Sequence, residues 1–112
     1  MILLIYHNEE ERRQVTKALE PRYEVNAYGE LGEAVICARL SHPDVIVLDD
    51  QVRSPDGQSA VTVLRHFFKH PPIVFCAGPG HLAKGVDERL EKPFHRSQLI
   101  NVLAGLMSKT IE

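Results

Sequence analysis

The fold of this chain is decided by the stretch Pro43-Asp44-Val45-Ile46-Val47-Leu48-Asp49, which ends in a carboxylate. The residues from Val45 to Leu48 carry no polar group on either face, which is typical of a central parallel strand covered by helices on both sides. Asp56-Gly57 begins seven residues after Asp49 and predicts a turn. The stretch therefore predicts a buried strand that delivers one carboxylate to a loop.

Strand-like apolar runs alternate with helix-like periods along the rest of the chain. The predicted strands cover about 1–6, 23–27, 45–48, 73–75 and 89–90, and the predicted helices about 10–19, 31–40, 60–70 and 96–107. Ser59 is the predicted N-cap of the third helix, and Pro71-Pro72 ends that helix. Strict alternation predicts an α/β fold: a flavodoxin-like, doubly wound, five-stranded parallel sheet of order 2-1-3-4-5.

Length and composition limit what the chain can do. Its 112 residues are expected to form a single domain, 1–112, with no output domain in this chain. It has 13 Lys and Arg against 15 Asp and Glu and no basic run, which argues against direct nucleic-acid binding. Its apolar stretches are too short to cross a bilayer and no signal peptide is recognisable, so a cytoplasmic location without membrane contact is predicted. Cys37 and Cys76 are expected to be reduced, because two cysteines do not make a disulfide framework.

Five residues with reactive or polar side chains are predicted to meet at one edge of the sheet. In a doubly wound sheet, the ligand site forms at the carboxyl ends of the strands, beside the point where strand order reverses. Tyr6 and His7 follow the first strand, Asp49 ends the third, and Cys76 and Lys92 arrive from the fourth and fifth. A functional site is therefore expected there.

Over nearly its whole length the chain resembles the CheY-like receiver domains of two-component response regulators. The resemblance rests on Asp49, Asp56-Gly57, Lys92-Pro93-Phe94 and Arg12, which occur in the family's order. It implies that Asp49 is at the phosphoacceptor position and that the Lys92–Pro93 peptide bond is cis. It also implies a non-enzymatic signalling role in a phosphorelay. The implied partners are proteins: a histidine kinase, an output domain or another receiver, with a homodimer as a further option.

The chain also departs from the family at four positions. Tyr6 and His7 stand where the family has the acidic residues that bind magnesium, and neither a phenol nor an imidazole is a good ligand for that ion. No metal or other cofactor is therefore expected, and Mg²⁺ is expected only if Asp49 is still phosphorylated. Cys76 replaces a threonine or serine, and its thiol is a weaker hydrogen-bond donor. Arg89 occupies the switch position of an aromatic residue, and a guanidinium is not expected to be buried there unpaired.

The segment between the fourth and fifth strands is shorter than in the family. Gly78, Pro79 and Gly80 oppose helix formation. A shortened fourth helix, with at most one or two turns around His81 to Lys84, is therefore predicted. The family's usual dimerisation and output surface should be reshaped as a result.

Three functions remain open. The chain could be a degenerate receiver that acts through protein contacts, a receiver phosphorylated on Asp49 by a histidine kinase, or a pocket that binds a soft metal through His7, Asp49 and Cys76. Asp50 is expected to point to the opposite face of the strand from Asp49, so it is not expected to replace the missing acidic pair. Cys76 is expected to be inert. The remaining histidines are assigned no function: His42, His66, His70, His81 and His95.

Overall fold

The structure is a computed structural model that describes residues 1–54, 57 and 59–109. Asp56, half of the predicted turn after Asp49, lies outside the described residues. Gly57 is described and has a φ of 81°, a left-handed conformation that glycine adopts without steric cost.

Five parallel strands form one sheet in the order β2-β1-β3-β4-β5. They are β1 (Ile2–Ile5), β2 (Val25–Tyr28), β3 (Val45–Asp49), β4 (Ile73–Ala77) and β5 (Glu88–Glu91). All four neighbouring pairs are parallel. The flavodoxin-like sheet and its strand order are thus confirmed.

Helices cover both faces of the sheet. In the described part of the chain they are α1 (Glu9–Leu19), α2 (Leu31–Ala38), α3 (Ala60–Phe67) and α4 (Arg96–Lys109). Asn8 caps α1 and accepts a hydrogen bond from the Glu11 N–H at 2.9 Å. Ser59 is at the N-cap of α3 as predicted, but its side chain makes no capping hydrogen bond. None of these helices has the length and apolar character that crossing a membrane requires.

The core has two layers because β3 sends alternate side chains to opposite faces. Ile46 and Leu48 pack in the layer under α2 and α3, whereas Val45 and Val47 pack in the layer under α1 and α4. All four side chains are buried. The absence of polar groups on either face of this strand is thus explained by helices on both sides.

Two helices end earlier than their apolar patterns predict. α2 ends at Ala38, and Leu40 beyond it is 83% exposed. Phe67 is the last residue of α3 and is 45% exposed, whereas Phe68 is buried. α3 ends before its predicted end because the chain leaves the helix after Phe67 and turns Phe68 inward.

The predicted shortened fourth helix is absent, so that prediction was wrong in this detail. Residues 78–87 are all described, and they form a loop with turns at Pro79-Gly80 and Lys84-Gly85. Gly80 and Gly85 have φ values of 83° and 86°, which an L side chain rarely adopts. The β4–β5 connection, meaning residues 78–87, is therefore a loop held by side-chain contacts.

Arg65 of α3 holds the end of this loop that leads into β5. Its guanidinium donates to the Pro71 carbonyl at 2.7 Å, to the Gly85 carbonyl at 3.1 and 3.3 Å, and to Asp87 Oδ2 at 2.6 Å. Asp87 also accepts from the Ile73 N–H at 2.8 Å. One half-buried arginine thus joins α3, the start of β4 and the end of the loop.

Candidate functional site

The carboxyl ends of β1, β3, β4 and β5 bring the predicted site residues together. Asp49 is the last residue of β3 and lies opposite Cys76 in the β4 register. The His7 N–H, directly after β1, donates to Asp49 Oδ2 at 3.4 Å. Lys92 follows β5, and its ammonium donates to Asp49 Oδ1. The Lys92–Pro93 peptide bond is cis, as the resemblance implied.

The Asp49 carboxylate is completely shielded from solvent. Its side chain has 0% exposure, with Lys92 against one oxygen and the His7 backbone against the other. An isolated buried carboxylate would be costly, so the ammonium and the N–H are what make its burial tolerable.

The Lys92 ammonium contacts more than one carboxylate. Its Nζ lies 3.1 Å from Asp50 Oδ1 and 4.0 Å from Glu11 Oε2, besides its contact with Asp49. Burial acts to lower the pKa of Lys92, but hydrogen bonds and negative charge from Asp49 and Asp50 raise it above its ordinary value. The ammonium therefore stays charged at neutral pH.

Asp50 belongs to the site, so the prediction that it points away was wrong. Strand alternation fixes side-chain direction only inside a strand, and β3 ends at Asp49. The Asp50 side chain, 5% exposed, turns back and accepts from the Gly78 N–H at 3.0 Å and from Lys92. Its other close neighbour is His81 Nδ1, 2.5 Å from Oδ2.

Asp50 remains ionised because its partners outweigh its burial. Burial raises the pKa of this carboxyl, but the hydrogen bonds from Gly78, His81 and Lys92, together with the charge of Lys92, lower it well below its usual range. An ionised carboxylate can only accept, so Nδ1 of His81 carries the proton in this contact.

No spacing between residues in the sequence indicated the role of His81, because that role depends on the path of the β4–β5 loop. Arg89 fixes that path, since it donates to the Gly78 carbonyl at 2.7 Å and to the His81 carbonyl at 3.0 Å. The guanidinium of Arg89 is thus half-buried and paired with backbone carbonyls. Arg89 therefore holds the loop.

Tyr6 fills the space beside Lys92. Its side chain is buried, its ring centroid is 5.3 Å from Lys92 Nζ, and its hydroxyl has no hydrogen-bond partner among the described residues. The ring face supports the ammonium through a cation–π contact. Burial, followed by the nearby Cys76, raises the pKa of the phenol far above its usual range. Tyr6 is therefore a neutral group and cannot replace a carboxylate.

Cys76 is fully buried in β4. Burial raises the pKa of its thiol to about 11, although Tyr6 and Lys92 act in the opposite direction. The thiol is protonated at neutral pH, and these conditions favour the inert behaviour expected for it.

Arg12 of α1 supports the turn between β1 and α1. It donates to the Tyr6 carbonyl at 2.9 Å and to the His7 carbonyl at 3.4 Å. A Cβ at Gly29 would lie 2.5 Å from Nη1 of Arg12, so this close approach depends on glycine. The arginine fixes the backbone that presents the His7 N–H to Asp49.

The residues around Asp49 do not fit a magnesium ion. That ion needs hard oxygen ligands in octahedral array. Here the oxygen of Tyr6 is a buried neutral phenol, and His7 offers an imidazole. The carboxylates of Asp49 and Asp50 already share the Lys92 ammonium. The Lys92 ammonium, a monovalent cation, therefore lies between these two carboxylates, where a dication would have to bind.

A soft-metal site is not formed either. Across the described ranges 1–54, 57 and 59–109, no group of three or more His, Cys, Asp or Glu side chains is placed to hold a metal ion. His7 meets Asp49 through its backbone N–H. The arrangement gives no support to metal binding by His7, Asp49 and Cys76.

The chain is similar to known signalling proteins. A chemotaxis protein CheY from Halobacterium salinarum is 24% identical over 115 residues, covering 96% of each chain. A response regulator receiver protein from Sinorhizobium medicae is 27% identical with a TM-score of 0.77, covering 96% of this chain and 93% of that one. A receiver-modulated diguanylate cyclase from Pelobacter carbinolicus superimposes with a TM-score of 0.85 at 23% identity, covering 96% of this chain and 92% of that one. No family model matches.

Proposed function

We propose that this chain, which is a CheY-like response-regulator receiver domain, acts through protein–protein contacts with weak or no magnesium-dependent phosphorylation. Its partners would be proteins of a two-component pathway: a histidine kinase, an output domain or another receiver, with a homodimer as a further option. No enzymatic activity of its own, no nucleic-acid or membrane contact and a cytoplasmic location are part of the proposal.

The complete burial of the Asp49 carboxylate carries this proposal. A phosphoryl donor must approach one carboxylate oxygen in line, with nothing between donor and acceptor. Lys92 contacts Oδ1, and the His7 N–H lies against Oδ2. Both oxygens are covered by the chain itself, so phosphorylation would require the site to open first.

The charges around Asp49 point the same way. Catalysis of phosphoryl transfer depends almost entirely on positioning and on cations that offset the charge of the moving group. The Lys92 ammonium is shared between Asp49 and Asp50, with Glu11 nearby. A single shared positive charge, without ligands suited to a dication, supports at most slow transfer.

A functional phosphoacceptor is the alternative. Asp49 still ends the central strand, and Lys92 still reaches it from the loop after β5. If the loops after β1 and β5 opened, this carboxylate could accept a phosphoryl group from a histidine kinase, and Lys92 would then stabilise the acyl phosphate.

Intact-mass spectrometry distinguishes the two functions. The protein is incubated with acetyl phosphate and MgCl₂, alongside Asp49→Asn and Asp50→Asn variants that separate labelling of the two neighbouring carboxylates. We expect no gain of a phosphoryl group in any of the three proteins. A stoichiometric gain in the wild type that is lost in Asp49→Asn and kept in Asp50→Asn would establish the alternative.

A further inference from the structure

A groove lies at the end of the sheet opposite to Asp49, where β3 and β4 begin. It has a volume of about 540 Å³, and its walls come from Arg39 and residues 42–44 after α2 and from residues 67–72 at the end of α3. None of the described residues of the Asp49 site lines it. Its volume is in the range of pockets that hold a ligand or the anchoring side chains of a partner. The groove is a second, separate surface.

Apolar groups form the wall of this groove. Phe67 lines it and is 45% exposed, and prolines at Pro43 and Pro71-Pro72 line it as well. Ile36 and Leu40 are also exposed, at 71% and 83%, but neither lines the groove. Phe67 and the prolines therefore supply the apolar wall against which a side chain of a partner protein can pack.

The charge of the groove is opposite to that of the chain as a whole. The formal net charge of the chain is −2, yet the groove is lined by Arg39 and Lys69 against one carboxylate, Asp44. Imidazoles of His42 and His70 line it too. Asp44 is already paired with the Met1 ammonium at 2.5 Å, so Arg39 and Lys69 outweigh the ends of α2 and α3, each of which contributes about half of a negative charge here. The side chains therefore favour an acidic partner.

We propose that this groove docks an acidic segment of a partner protein, which places an apolar side chain against Phe67 and its carboxylates near Arg39 and Lys69. The proposal rests on the proposed function, because it names one surface through which a receiver that signals by contact would act. It combines an apolar anchor with complementary charge, as in known modes of peptide recognition.

A second copy of this chain is a poorer occupant. Its acidic run Glu9-Glu10-Glu11 would have to enter the groove. However, Arg13 lies 3.5 Å from Glu9 and 3.4 Å from Glu10, and Glu11 lies 4.0 Å from Lys92. Self-docking would have to replace these contacts, whereas an acidic segment of another protein would not.

Fluorescence anisotropy with three short fluorescein-labelled peptides tests the proposal. The first carries aspartates around one tryptophan and one leucine. The second has the aspartates replaced by asparagines, and the third has the two apolar residues replaced by serines. We expect the first peptide to bind at least about tenfold more tightly than either of the others, and its binding to weaken with salt.

Matched variants locate the binding. Lys69→Glu and Phe67→Ser should each weaken binding of the first peptide by about tenfold. Lys17→Glu makes the same charge change on α1, and Leu82→Ser removes an exposed apolar side chain from the β4–β5 loop; both should bind within about twofold of wild type. Far-ultraviolet circular dichroism checks that each variant is folded.

Equal binding of all three peptides would overturn the proposal, as would equal weakening by the control variants. Self-association in sedimentation equilibrium that Lys69→Glu abolishes would also overturn it, because the occupant would then be a second copy. If the groove does not bind the acidic peptide, the result of the mass assay on Asp49 does not change. Failure of this proposal and failure of the proposed function are therefore distinguishable.

Discussion

His81 Nδ1 lies 2.5 Å from Oδ2 of Asp50, and this contact joins the β4–β5 loop to the end of β3. The two residues are 31 positions apart in sequence. Asp50 also accepts from Lys92 and from the Gly78 N–H. The Asp50 carboxylate, next to Asp49, thus positions the β4–β5 loop.

Replacement of Asp50 by asparagine should lower stability and change its dependence on pH. The folded chain lowers the pKa of Asp50 below its ordinary value of 3.8. Its contribution is therefore complete above that pH and is lost as pH falls towards the folded pKa. We expect Asp50→Asn to reduce the free energy of unfolding at neutral pH by about 1–3 kcal/mol. Urea denaturation measured across the acidic range should show a smaller fall for the variant than for the wild type.

Asp44→Asn is a suitable control for that experiment, because Asp44 is partly exposed at the opposite end of the sheet. An acid dependence that is identical in Asp50→Asn and in the wild type would show that Asp50 does not lose stabilising contacts on protonation.

Replacement of Lys92 by methionine should destabilise the fold. It leaves the buried carboxylate of Asp49 without its counter-charge, which we expect to cost about 3–5 kcal/mol at neutral pH. The carboxylates of Asp50 and Glu11, which also approach Lys92, would lose the same counter-charge. The melting temperature of Lys92→Met at neutral pH should therefore lie well below that of the wild type.

Lys84→Met, a change at an exposed lysine of the β4–β5 loop, controls for the loss of one positive charge. If Lys84→Met lowers the melting temperature as much as Lys92→Met does, the destabilisation comes from the loss of one positive charge and not from the unpaired carboxylate of Asp49.

Tyr6→Phe should make the protein more stable. The Tyr6 hydroxyl is buried without a full hydrogen-bond partner among the described residues, and the nearby Cys76 thiol is a weak one, so its desolvation is poorly compensated. Its removal keeps the ring that faces Lys92 and should add about 1 kcal/mol to the free energy of unfolding. Urea denaturation of Tyr6→Phe and of Tyr23→Phe, at a partly buried position, provides the comparison. Marked destabilisation by Tyr6→Phe would mean that the hydroxyl has a partner in solution.

Arg65→Ala should loosen the β4–β5 loop and destabilise the fold by about 1–3 kcal/mol, because a half-buried guanidinium donates to Pro71, Gly85 and Asp87. The stability of Arg65→Lys should fall between those of the wild type and Arg65→Ala, since one ammonium cannot reach all three acceptors. Hydrogen exchange of residues 80–87 should accelerate in Arg65→Ala.

Arg13→Ala is the control, because it removes an exposed ion pair and should change stability by less than about 1 kcal/mol. An equal effect of both alanine variants would contradict the role of Arg65.

The sequence predicted much of the candidate site because the strands carry it. Asp49 and Cys76 lie at or next to the ends of the apolar strands β3 and β4, Lys92 directly follows β5, and parallel strands bring their carboxyl ends to one edge. Their proximity follows from topology. The roles of these residues in phosphorylation remain predictions.

The features that the sequence did not predict lie in the loops. Nothing in the spacing indicated that Asp50 would turn back towards Lys92, that His81 would reach Asp50, or that residues 78–87 would contain no helix. Outside a regular element, backbone direction is not fixed by a period of two or of 3.6 residues. It depends on partners that are distant in sequence, such as Arg65 and Asp87, 22 positions apart.

By itself, the sequence of this protein determined the five-stranded parallel sheet and the position of one carboxylate at the end of its central strand. Hydrophobic periodicity is a local property, and burial of the resulting faces leaves few alternatives. Only the tertiary structure decided that Lys92 is shared between Asp49 and Asp50 and that both oxygens of Asp49 are covered. These features depend on how close the loops lie to one another, and that is set only when the sheet assembles.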